Sequence, residues 1–123
     1  MTMTQREVFD KVKNHLLVQG ARAQDGVGAC QYRDDEGLMC AVGCLISDEH
    51  YSTALEGHSI RRANVEPAPG TQLVRDALVN SGVVLDEVTC NMLYDLQSLH
   101  DETWPEVWVE ELAEIERKYF GEG

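Results

Sequence analysis

The sequence predicts a mainly α domain of the α+β class, with about five helices around one short β-hairpin, filling residues 1–123 as a single domain. Three observations lead there. Apolar residues recur at helical spacing in separate stretches that open on capping residues. Two short apolar runs flank the turn sequence Asp34-Asp35-Glu36-Gly37. A chain of 123 residues, 43% of them hydrophobic, suffices for one core.

The first helix carries its own start signal. Thr4-Gln5-Arg6-Glu7 has capping-box form, in which hydroxyl and carboxylate satisfy two orphan amides. Val8, Phe9, Val12, Leu16 and Leu17 then form one apolar stripe, and Gly20 is the stop. After the bend Gly26-Val27-Gly28, residues Ala29 to Arg33 read as extended, and Leu38 to Val42 form the second arm of the hairpin. The continuation from Cys40 to Ile46 fits a buried strand or a buried helix equally. Ser47 before Asp48-Glu49 predicts a short helix through Tyr51 and Leu55 to Gly57. Residues 58–70 hold two of the three prolines and lack periodicity, so they read as a loop long enough to bind something. Thr71 caps a helix bearing Leu73, Val74, Ala77 and Leu78, ended by Asn80-Ser81-Gly82. Asp86 caps the next, with Val88, Met92, Leu96 and Leu99. Thr103-Trp104-Pro105-Glu106 repeats the capping-box pattern. The last helix sets Trp108, Leu112, Ile115 and Tyr119 on one face and Glu106, Glu110 and Glu114 on the other.

The formal net charge is −12, from 22 acids and 10 bases. Such a surface repels phosphate backbones and disfavours general nucleic-acid binding. No apolar run approaches a membrane span and the N-terminus lacks a secretory signal pattern, so a cytoplasmic, membrane-free protein is expected, in the host cytoplasm if phage-encoded. The charge is lopsided. Residues 66–123 hold thirteen acids and three bases, whereas residues 1–65 hold nine and seven.

Cys30, Cys40, Cys44 and His50 run C-x9-C-x3-C-x5-H, a donor set for tetrahedral zinc if residues 40–46 are helical. No C-x2-C knuckle accompanies them, and cysteine in an apolar run is equally a small buried hydrophobe. A thiolate near His50, His58 or His100 would make a Cys/His-dependent hydrolase, yet no glycine-flanked nucleophile is present and an apolar setting disfavours the thiolate. His100-Asp101 are adjacent at a helix end and are expected to point apart, the histidine interacting with the helix C-terminus. Arg33, Arg61 and Arg62 with Tyr32 and Tyr51 compose a pocket for an anionic, aromatic ligand such as a nucleotide; the competing reading pairs these arginines with Asp34, Asp35, Glu56 or Glu66. Glu106, Glu110 and Glu114 either keep the chain soluble or present an acidic array to a basic partner protein. Trp104, Trp108 and Phe120 cluster near the C-terminus, where they serve the core or a homo-oligomer contact.

Cys30-Gln31-Tyr32-Arg33, then Cys40-Ala41-Val42-Gly43-Cys44-Leu45-Ile46, then Leu55-Glu56-Gly57 resemble a group of small phage and prophage proteins with Cys-x-Tyr-Arg and Cys-Ala-Val-Gly-x-Leu-Ile motifs. Leu96-Gln97 and His100-Asp101 are similar to a later segment of that group, which has histidine where this chain has Cys44. The resemblance implies an accessory protein that counters host defence by binding, either sequestering a nucleotide signal or blocking a host protein. It carries over no activity; the residues themselves show no convincing catalytic constellation, and no cofactor is expected apart from the zinc considered above. A hydrolase and a small zinc-stabilised interaction module are the alternatives.

Overall fold

The computed structural model describes residues 3–20, 31–34, 37–56 and 70–121. The bend at 26–28, Cys30, His58, and the loop at 58–70 with Arg61 and Arg62 lie outside these residues, save for Gly70. Among the described residues the chain forms four α-helices and three single 3₁₀ turns.

Helix α1 (Gln5–Gln19) begins as its sequence dictates. The Thr4 hydroxyl accepts from the Glu7 amide at 3.1 Å, the Glu7 carboxylate accepts from the Thr4 amide at 2.9 Å, and Gly20 closes the helix at φ 64°. Helix α2 (Thr71–Asn80) is capped by Gly70 in the left-handed conformation, with Thr71 buried as the first helical residue instead of capping it. Helix α3 (Glu87–Glu102) takes Asp86 as its cap, accepting from the Thr89 amide at 2.8 Å. The second capping box does not form. Pro105–Val107 make a 3₁₀ turn before α4 (Trp108–Phe120), and the Thr103 hydroxyl reaches back to donate to the Leu99 carbonyl at 2.6 Å. The predicted helix at 47–57 is absent too; turns over 48–50 precede a single 3₁₀ turn at Thr53–Leu55, capped by Ser52.

Helix α4 packs against both α1 and α3. Val8, Phe9, Val12 and Leu16 of α1 meet Trp108 and Leu112 of α4, Met92, Leu93 and Leu96 of α3, and Val74 and Leu78 of α2 in one core. The Phe9 and Phe120 rings close it edge to face at 5.5 Å, under the Arg6 guanidinium, which is held by Glu116 at 2.6 Å. Of the three C-terminal aromatics, Trp108 is fully buried, Phe120 half-buried and Trp104 67% exposed, so they form no common patch.

The β-hairpin is not present, and the described residues contain no strand. The chain does reverse between Arg33 and Met39, through one antiparallel bridge flanked by Asp34 N–H to Leu38 C=O and Cys40 N–H to Tyr32 C=O. No ladder grows from it because side chains take the amides that strand neighbours would use. The Glu56 carboxylate accepts from the Tyr32 and Arg33 amides at 2.8 and 3.1 Å, and the Gln19 side chain both donates to and accepts from the Met39 backbone at 2.9 Å. Beyond Cys40 the chain turns inward as a buried, mostly non-helical segment, residues 40–46, with a 3₁₀ turn at Gly43–Leu45 packed on α1.

Candidate functional site

The segment from Tyr32 to Glu56 gathers most of the polar side chains singled out in the N-terminal half. Arg33 donates to Asp48 at 2.7 Å and to the Ile46 carbonyl at 2.7 Å, and its guanidinium lies 4.5 Å from the centre of the Tyr51 ring. Tyr51 donates to Glu56 at 2.6 Å; burial, then the adjacent Glu56 carboxylate, push its phenol up to about 12. Tyr32 is 6% exposed, and burial raises its phenol strongly. The structure therefore brings Arg33, Tyr32 and Tyr51 together as expected, but Arg33 and Tyr51 are engaged in holding the reversal closed. Pairing with Asp48 and Glu56 is the reading these residues fit.

Residues 40–46 pose a backbone problem, since seven successive buried residues outside a regular helix expose amides that water cannot reach. Backbone carbonyls take the amides of Cys40, Cys44, Leu45 and Ile46, and side chains serve further groups. The Val42 amide donates to Gln97 at 3.0 Å, the Met39 carbonyl contacts His15 Nε2 at 2.8 Å as well as Gln19, and the Ile46 carbonyl takes Arg33. Gly43 packs so closely on the Tyr32 backbone that a Cβ there would sit 2.1 Å from the Tyr32 carbonyl oxygen.

The cysteines belong to this packing. Cys40 Sγ accepts from the Gly43 amide at 3.3 Å, and the Cys44 thiol donates to the Ala41 carbonyl at 3.1 Å. Burial raises both thiols, Cys44 to about 12 and Cys40 further still, so both are protonated at neutral pH and neither is an activated nucleophile. Among the described residues no group of three or more Cys, His, Asp or Glu side chains is arranged to hold a metal; Cys30 lies outside them. His100 and Asp101 do meet, contrary to expectation. The fully buried His100 places Nδ1 2.8 Å from the Asp101 carboxylate and stacks on Trp108 at 5.7 Å, while Asp101 also accepts from Gln97 at 2.8 Å. Through Gln97 this cluster holds Val42 and so locks the end of α3 to the buried segment.

No protein-family model, curated protein or solved structure matches the chain.

The other candidate surface is acidic. Between residues 95 and 121 the chain carries eight acids and two bases. Glu102, Glu106, Glu110, Glu111 and Glu114 are all exposed, next to Trp104 at 67% and Val109 at 62%. Four of the carboxylates in this region are internally occupied, Asp101 by His100 and Gln97 as described above. Asp95 is held by Lys118 at 2.8 Å and by the Tyr119 hydroxyl at 2.6 Å, and Glu116 faces Arg6 and Lys13 on α1. Glu114 pairs with Arg117. Between α3 and α4 an open groove of about 430 Å³ is lined by Asp95, Leu99, Glu102, Glu111, Ile115 and Lys118, among others.

Sequence reasoning missed the clamping roles of Gln19, Gln97 and Glu56. A signal for two of them was present. Gln19 falls seven residues after Val12 and three after Leu16, and Gln97 falls four after Leu93, so each is an amide on an apolar stripe.

Proposed function

We propose that this chain is a non-enzymatic binding protein of the phage-accessory kind, which acts by occupying a basic surface of a host protein with its C-terminal helices. The observation that carries this reading is the run of exposed carboxylates Glu106, Glu110 and Glu114, the first just ahead of α4 and the others along it, with the exposed Trp104 two residues before them and the helix anchored by the fully buried Trp108 and Leu112. A rigid acidic face with an exposed indole suits recognition of a cationic protein, through steering by charge and anchoring by the ring. The nucleotide-sequestering alternative has less support, because the Arg33 guanidinium, though its buried Nε is without a partner, is already bonded to Asp48 and the Ile46 carbonyl over the Tyr51 ring, and Tyr51 to Glu56. The hydrolase alternative has no activated thiol among the described cysteines.

The test is association with proteins of a bacterial lysate, captured through a photo-crosslinker at Val107, with the triple variant Glu106→Gln, Glu110→Gln, Glu114→Gln alongside. Capture of a discrete basic protein is expected. Its on-rate falls by about tenfold in the triple variant at low salt, and the two proteins converge near 1 M salt, where the screening length is only about 3 Å. Capture that ignores the three substitutions, or turnover of a nucleotide or peptide by the purified chain, overturns the reading.

A further inference from the structure

We infer that the groove between α3 and α4 is the seat for an arginine- or lysine-bearing helix of the partner, taking one of its cationic side chains lengthwise. This rests on the binding-protein reading above and assigns it a specific anchor point. The groove has the two-part chemistry such a side chain needs. Leu99 and Ile115 supply an apolar floor for a methylene stem, and Glu102, Glu111, Glu114 and Asp95 supply carboxylates for the cation. Of the four acids lining it, Asp95 is held by Lys118 at 2.8 Å and Glu114 by Arg117, while the side chains of Glu102 and Glu111 make no hydrogen bond or ion pair among the described residues, so the groove keeps two carboxylates for an incoming positive charge.

Lys118, which lines the groove, already places its ammonium 2.8 Å from the Asp95 carboxylate, a cation on a carboxylate of the same groove. An incoming cation extends this arrangement toward Glu102 and Glu111. Next in the chain to the groove-lining Thr103 stands Trp104, 67% exposed, an apolar surface beside the site that a helix can cover. A second copy of this chain is a poor occupant, since each carries a net charge of −12. Nucleic acid is repelled for the same reason.

The test uses an alanine-based helical peptide of about 14 residues with arginine at every fourth position, and its glutamate counterpart, titrated into the ¹⁵N-labelled full chain. The arginine peptide is expected to shift the amides of Ser98, Glu102, Thr103, Glu111 and Ile115, and the glutamate peptide to shift none. Glu111→Lys should weaken binding tenfold or more, about 1.4 kcal/mol. Lys118→Met, which frees Asp95, should tighten binding several-fold beyond Lys11→Met, which makes the same change in net charge on the exposed face of α1. Binding that maps to Glu106 and Glu110, with Lys118→Met and Lys11→Met equivalent, overturns the groove assignment and leaves the acidic-face reading standing. Failure of the arginine peptide to bind anywhere on the chain overturns both.

Discussion

Replacing Gly43 by alanine should destabilise this protein far more than its chemistry suggests. The added methyl carbon would lie 2.1 Å from the Tyr32 carbonyl oxygen, 2.9 Å from its carbon and 3.1 Å from the Tyr32 Cα. All three atoms are backbone, so no side chain can rotate away. The buried segment must instead retreat from the reversal, and the Cys40 N–H to Tyr32 C=O bond at 3.2 Å is the contact it breaks. Overpacking of this kind costs about 1–3 kcal/mol, and leaving the Cys40 amide buried without its partner adds about 1–3 kcal/mol. The sum, about 2–6 kcal/mol, opposes the roughly 0.4–1 kcal/mol that a glycine-to-alanine change gains by restricting the unfolded chain. For a domain of this size the net loss lowers the melting temperature by roughly 5–20 °C. Gly37→Ala is the matched control. Gly37 is left-handed at φ 85°, and none of the described residues comes within 4 Å of where a methyl group would lie, so only backbone strain on the order of 1 kcal/mol is expected. Urea unfolding followed by circular dichroism measures both. A Gly43→Ala protein within 1 kcal/mol of the parent, or no less stable than Gly37→Ala, refutes the close approach.

Three further outcomes follow from the same contacts. Gln97→Leu removes the acceptor of the Val42 amide and should cost about 1–3 kcal/mol in the same unfolding assay, whereas Gln72→Leu, on the exposed face of α2, should change stability by less than about 0.5 kcal/mol. Arg33→Met should cost about 1–3 kcal/mol, because the guanidinium, with a side chain only 22% exposed, holds Asp48, the Ile46 carbonyl and the Tyr51 ring; an unchanged melting curve would return Arg33 to the list of ligand residues. Stability should also fall as pH rises above about 9. Burial raises Cys40, Cys44 and Tyr32, and with Glu56 raises Tyr51, so the folded state retains protons that the unfolded chain releases; the stabilisation is complete below the unfolded values and is lost as pH climbs toward the folded ones, about 12 for Cys44 and Tyr51. Melting temperature measured from pH 8 to 11 should decline, and less steeply in Cys44→Ala; a flat profile would mean that these groups are not buried.

Helix α1 was legible almost residue by residue, because its cap, stripe and stop all act within 20 residues of one another. The error at residues 29–42 has the opposite cause. Turn chemistry between two short extended runs reports a chain reversal, and a reversal is there, but it does not say which group takes each amide. Here the takers are Gln19 and Glu56, some 20 residues away in either direction, and a side-chain amide or carboxylate leaves no period-two trace. The ambiguous run from Cys40 to Ile46 was ambiguous for a physical reason, since it is buried on every side and therefore lacks the polar positions that would betray a period. His100 and Asp101 were misjudged because adjacent helical residues diverge at their Cβ atoms, whereas a long imidazole and a carboxylate can still converge at their tips.

Taken together, these contacts divide the chain by task. Tyr32, Cys40, Ala41, Val42, Gly43, Leu45 and Ile46, which carry the two recognisable motifs, are buried, and Arg33 is tied into the same reversal. Their identities answer packing demands: a glycine where backbone meets backbone, a small thiol at Cys40 where the Gly43 amide needs an acceptor, an arginine that donates to the Ile46 carbonyl. Chains that share those motifs would thus share a scaffold, and sharing a partner would be a separate matter. On the binding reading proposed above, a partner would meet what the scaffold leaves outside, the acidic face of α4 and its groove with α3. Substitutions there would leave the core untouched, since the side chains of Glu102, Glu106, Glu110 and Glu111 are exposed and make no hydrogen bond or ion pair among the described residues. Under that reading, such a separation lets a changing partner surface be followed at little cost to the stability of the fold.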